Sequence, residues 1–184
     1  MSIAFKEWSL VCDALRRGAT SLILRKGGIA EGRAGFQWKH EAFYLLPTHF
    51  HEQVGQIRGA TELPAHDPEQ HRIDLFARVE FHAVVTDWGQ VAALLPHHVW
   101  TEEVAKERFG YSGQQGLSVA FLRVFSMAQP LTFPDAPAYG GCRSWVTIPD
   151  APAEPVLQPV LDEAGHAARR EVVRSILGPA GGHS

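Results

Sequence analysis

The sequence predicts an α+β fold, a single domain with a mixed, mostly antiparallel sheet of five or six strands flanked by N- and C-terminal helices. Three observations predict it. Apolar residues recur at three and four residues near both ends of the chain, the period of a helix face. Between those ends lie apolar or alternating runs of strand length, punctuated by Gly and Pro. The composition, 45% hydrophobic and 20% charged over 184 residues, is that of one globular domain able to bury a sizeable core.

The elements follow in order. Phe5, Trp8, Val11, Cys12 and Leu15 would line one face of a first helix, with Ser2 to cap its start and Gly18 to end it. Residues 20–25 form a short buried strand, and Gly27, Gly28 and Gly32 mark a tight loop. Glu41 to Leu46 is a mostly apolar strand ended by Pro47, after which Thr48 is placed to cap a short helix carrying Phe50, Val54 and Ile57. Leu75 to Thr86 alternates cleanly, with Arg78, Glu80 and His82 on the face opposite Leu75, Ala77 and Val79.

Asp87 with Gln90 has the spacing of a capping box, and Thr101 followed by Glu102 and Glu103 opens a further helix ending at Gly110. Ser118 to Met127 is apolar on both faces, as a central strand requires, and Arg143 to Ile148 is the last strand. A Pro-rich connection from Pro149 to Pro159 leads to a helix with Leu161, Ala164, Ala168, Val172 and Ile176 on one stripe. The expected organisation is a core domain over 1–150, with 151–184 as connection and C-terminal helix packing on that same domain.

No apolar run reaches the roughly 18 residues of a membrane span, and charged residues interrupt the N-terminus where a secretory leader would be apolar. Cys12 and Cys142 are the only cysteines and cannot form a CxxC knuckle, so a reducing, cytoplasmic setting is expected. The net charge is −3, but residues 1–40 carry +4 and the remainder −7. A basic face on an acidic body suits nucleic acid or a phosphorylated small molecule, whereas a solvated surface is the plainer reading.

Lys6-Glu7-Trp8, Val11-Cys12-x-Ala14-Leu15-x-x-Gly18, Leu24-Arg25-Lys26-Gly27-Gly28-Ile29-x-Glu31-Gly32, Phe43-Tyr44-Leu45-Leu46-Pro47-Thr48 with His51, and Cys142-Arg143-Ser144-Trp145-Val146 form a recognisable pattern. It resembles that of a bacterial family, the domain of unknown function 1802. The resemblance implies a small prokaryotic protein and no particular reaction.

The candidate chemistry is concentrated between Arg25 and Gln53. Arg25, Lys26, Gly27 and Gly28 follow a strand and are placed to present a cation and backbone N–H groups to an anion, without the Gly-Lys-Ser/Thr end of a P-loop. A strand-ending turn accounts for them equally. His49 and His51 share a face if extended and oppose each other if helical, so they are anion-binding candidates and only His51 is retained, weakly, as a metal ligand. Glu31, Glu80 and His82 are candidate catalytic residues, Glu80 and His82 also weak ligands for a divalent metal. Asp74 with Glu80-x-His82 approximates a metal nuclease spacing, with His where Lys is usual. Glu31 pairing with Lys26 or Arg33, and a wet sheet face at Glu80 and His82, are the bland alternatives. Lys26, Glu31 and His51 are expected in one pocket.

The leading expectation is thus a binding domain for nucleic acid or another phosphate-bearing ligand. A metal-dependent phosphodiester hydrolase, and a structural or partner-binding protein of a bacterial operon, are the alternatives.

Overall fold

The structure is a computed structural model describing residues 1–26, 36–113, 115–151 and 155–178. Seven strands and four α-helices are described: β1 (Ser2–Trp8), α1 (Ser9–Arg16), β2 (Leu22–Arg25), β3 (Ala42–Thr48), β4 (Gln70–Val85), α2 (Trp88–Leu94), α3 (Glu102–Gly110), β5 (Leu117–Pro134), β6 (Trp145–Ile148), β7 (Leu157–Pro159) and α4 (Glu163–Leu177). The strands run in the order β2-β5-β4-β3-β1-β6, with β7 added to β5. Every pairing is antiparallel except β1 with β3. The predicted α+β class holds, with β7 and β1 raising the strand number above the five or six expected.

The first helix is corrected. Ser2 to Trp8 is a strand, and only Ser9 to Arg16 is helical. The apolar positions that match a helix face also suit a strand buried on both sides. Phe5 joins the main core, while Ala4 joins a second cluster with Tyr44, Leu46, Val146 and Ile148. Sheet pairing on both edges of β1 outweighs the local helical spacing. Gly18 does end α1, in the left-handed region at φ 66°. A Cβ there would lie 2.8 Å from a Leu161 side-chain carbon, so close packing also demands glycine.

Two further expectations shift. The segment after Pro47 is a 3-10 turn over His51–Gln56 with no side-chain cap, in place of a helix capped by Thr48. The Thr48 hydroxyl donates instead to the Glu7 carbonyl, tying β3 to β1. In α4 the inward residues are His166 and Val173, whereas Ala164, Ala168 and Val172 are exposed. Polar partners decide that rotation. His166 meets Glu80 at 2.7 Å, and Arg169 donates to the Gly18 carbonyl at 2.7 Å. Asp87 caps α2 as expected, but Gln90 turns away to donate to the carbonyls of Ile176 and Leu177 at the end of α4.

β4 and β5 are the longest strands and carry the fold's curvature, with register shifts between Ile73 and Leu75 and between Val79 and Phe81. The edge strand β2 stands four places from β1 in the sheet order, yet a side chain joins them. Arg25 bridges that gap, its guanidinium lying 4.5 Å from the centre of the Phe5 ring and donating to the Lys6 carbonyl. Phe36, Trp38, Phe43 and Trp145 surround Phe5 with ring centres 4.8–5.8 Å away. Among the described residues no helix is long and apolar enough to cross a membrane.

Candidate functional site

Gly27, Gly28 and Glu31 lie outside the described residues. Arg25 and Lys26 are described, and both are engaged within the protein. Arg25 meets Glu7 at 3.4 Å, with only 2% of the Glu7 side chain exposed. Burial raises the Glu7 pKa, opposed by the Arg25 charge and by a hydrogen bond from the Trp8 backbone N–H. Lys26 donates to the carbonyls of Gly116 at 2.9 Å and Phe109 at 3.2 Å, and burial lowers its pKa.

Although β2 and β3 run in opposite directions, the Arg25 side chain reaches the region where β3 ends. Glu7 is the link, since it pairs with Arg25 through its carboxylate and accepts from Thr48 through its carbonyl. The buried Gln53 continues the network. Its amide donates to the Thr48 carbonyl at 2.6 Å, and its oxygen accepts from the Ser9 hydroxyl at 3.3 Å and the Leu10 N–H at 3.4 Å. Gln53 thereby supplies α1 with the N-terminal acceptor that Trp8, in the N-cap position, cannot. His51 is exposed at the start of the 3-10 turn.

Glu80 is held by α4, meeting His166 at 2.7 Å and Arg170 at 3.7 Å, and His82 is exposed opposite Ala120. Among the described residues no three His, Cys, Asp or Glu side chains are grouped as a metal's ligands would be.

A groove of about 740 Å³ opens along α1 from Ser9 to Arg16, a size suited to a small ligand or a short stretch of polymer. Its other walls are Pro47 near the end of β3 and His49 just beyond it, the loop from Pro64 to Asp67, and the outer ends of β4 and β5 at Gln70, His71, Arg72, Asp74 and Thr132. It is rich in nitrogen donors. Arg16 is fixed by Asp74 at 2.8 Å and by Asp13 at 3.4 Å, while Arg72 is exposed with no ion-pair partner among the described residues. His71 meets Asp135 at 2.7 Å.

His49 and His66 stack face to face, 3.8 Å between ring centres and 6° from parallel. The His49 pKa is pushed down to about 4, first by burial, then by the neighbouring His66 and His71 rings. His49 is therefore neutral near pH 7 and offers a ring face and a hydrogen-bonding edge.

Of the residues singled out from the sequence, His49 and Asp74 line this groove, Asp74 as the partner of Arg16. Arg16, His66, His71 and Arg72 were not singled out. Arg16 entered the charge count of residues 1–40, and the other three fell between the strands expected at 41–46 and 75–86. A legible signal was the density of histidine, since five of the ten in the chain fall at positions 40, 49, 51, 66 and 71.

The fold is similar to that of an ASCH protein from Zymomonas mobilis. A tyrosine-to-phenylalanine mutant of that protein gives a TM-score of 0.48 and 12% identity, over 80% of this chain and 89% of that one. A serine-to-alanine mutant gives 0.45 and 11%, over 92% and 94% of the two chains, and the ASCH protein itself gives 0.44 and 11%, over 92% of each. No curated protein sequence matches. The model of the domain of unknown function DUF1802 matches residues 4–172, and the chain belongs to that family.

Proposed function

We propose that the protein is a cytoplasmic binding domain for a phosphate-bearing ligand, nucleic acid foremost, held in the groove between α1, the 64–67 loop and the outer ends of β4 and β5. One observation carries this reading: Arg16, Arg72, His49, His66 and His71 converge on one groove in a chain whose net charge is negative. Guanidinium groups suit phosphate oxygens because their N–H fork matches two acceptors at once. Arg72 supplies the uncommitted charge, Arg16 a positioned one, and Thr132 a hydroxyl at the wall. Two free cysteines, Cys12 and Cys142, fit the cytoplasmic setting.

The hydrolase alternative has less behind it. Glu80 is committed to His166 and Arg170, and neither Glu80 nor His82 lines the groove.

Binding of a fluorescent oligonucleotide is the test. Affinity is expected to fall steeply with salt, because each neutralised phosphate releases counterions. Arg72→Ala is expected to weaken binding several-fold and to reduce the slope of log K against log salt by roughly one. No binding by the unmodified protein at low salt, or an Arg72→Ala variant with unchanged affinity and slope, would overturn the reading.

A further inference from the structure

We propose that the groove selects single-stranded over duplex nucleic acid, a base stacking on the face of His66 away from His49 while Arg72 and Arg16 take the phosphates. This rests on the binding function proposed above and adds the class of nucleic acid. The observation behind it is the His49–His66 stack, two imidazoles 3.8 Å apart and 6° from parallel on one wall of the groove. That is the separation and orientation of stacked bases, and the column is half built before a ligand arrives.

The two rings differ in access. His49 is half-buried, whereas His66 is exposed. One face of His66 is covered by His49, while the residue as a whole remains exposed to the groove. A third flat ring added on the face away from His49 continues the column. His49 backs His66 as a neutral ring, so no charge repulsion within the pair disturbs the platform near pH 7. The charged and titratable groups sharing the groove with the pair are His71 with its Asp135, the carboxylates Asp67 and Asp74, and the guanidinium groups of Arg16 and Arg72.

Single strands follow from what a duplex hides. Within a double helix each base face is covered by its neighbours, and only base edges and phosphates reach a protein. A stacking platform therefore gains nothing from a duplex except at its ends, whereas single strands expose their faces. The arginines on the same groove serve phosphates of either form, so charge sets general affinity and His66 sets the preference between forms. Stacking is indifferent to base identity, so sequence selectivity from this platform is expected to be slight.

The experiment compares a single-stranded oligonucleotide with a blunt duplex of the same sequence, long enough that its ends are a small share of the sites, by fluorescence anisotropy at low salt and pH 7.5. Measurements use the unmodified protein and the variants His66→Ala, His66→Phe and Arg72→Ala, each checked by thermal melting. The single strand is expected to bind at least tenfold more tightly than the duplex. His66→Ala should lower single-strand affinity about tenfold, several times more than it lowers duplex affinity. His66→Phe, which keeps a ring and loses the imidazole nitrogens, should restore the preference. Equal binding of the two forms, or His66→Ala with no effect on the single strand, overturns the single-strand inference and leaves phosphate binding intact. Failure of both forms to bind overturns the single-strand inference and the binding reading together.

Discussion

At the scale of single residues, the pair formed by Glu7 and Arg25 is the most consequential. A carboxylate with 2% of its side chain exposed is tolerated because a guanidinium lies 3.4 Å away and a backbone N–H donates to its other oxygen. Removing one partner from such a buried pair costs more than the pair contributes, since the survivor keeps its desolvation penalty. Arg25→Met is expected to lose about 3–5 kcal/mol at pH 7, and Glu7→Gln with Arg25→Met to recover most of that loss. The pH dependence has a defined sign. The folded state holds the Glu7 proton to higher pH than the unfolded chain, so this contribution is full below the ordinary carboxylate range. It is lost as pH rises through the folded-state pKa. The damage from Arg25→Met should therefore be larger at pH 7 than at pH 4 in urea unfolding, and a pH-independent loss would contradict the account.

At the scale of elements, α4 is held as much by polar contacts as by its apolar face. His166 and Glu80, Arg169 and the Gly18 carbonyl, and Gln90 and the last carbonyls of the helix all fix it. Glu80→Ala is expected to raise amide exchange across α4 about tenfold, or about 1.4 kcal/mol, while the β4 and β5 ladders keep their protection. Uniform loosening of sheet and helix together would show that Glu80 supports the whole domain instead. The same element shows where sequence reading stops. Its existence was legible from 3.6-residue spacing, but its facing was not, because His166 and Arg169 turn inward only when Glu80 and Gly18 are known to be there. The central strands β3, β4 and β5 were legible from alternation and doubly buried runs. β1 was not, since its apolar spacing fits helix and strand alike and its partners lie at positions 44–48 and 145–148.

At the scale of the whole molecule, charge counting proved a weak guide to the site. Three of the seven basic residues of 1–40 are ion-paired within the fold, Arg16 and Arg17 with Asp13, Arg16 also with Asp74, and Arg25 with Glu7. Acid stability is a property of the same scale. His98 is fully buried, and burial, aided by the Arg58 charge, pushes its pKa down to about 3; its Nδ1 accepts from the Trp100 N–H. His49 is depressed to about 4. Both groups are neutral in the fold while the unfolded chain takes up protons from about pH 6.5. Their stabilisation is thus complete above pH 6.5 and lost as pH falls toward 4 and then 3, on the order of a few kcal/mol for His98. His98→Asn keeps an acceptor for Trp100 and cannot titrate. It is expected to flatten the unfolding free energy between pH 6.5 and 4 by up to about 1.4 kcal/mol per pH unit, and an unchanged slope would refute the assignment.

The placement of β1 between β3 and β6, with Ser2 opposite Ile148, bears on how the chain reaches this state. Translation delivers β1 first and its second neighbour only after the strands β2 to β5 and the helices α1 to α3. Until β6 emerges, one edge of β1 is unpaired, and the ring of aromatic side chains around Phe5 lacks Trp145. Contacts so distant in sequence make the closing step slow, because the entropy of a long loop is spent before its contacts form. A nascent chain stalled before residue 145 would thus carry an open strand edge and an incomplete core, the two features that recruit chaperones and drive aggregation.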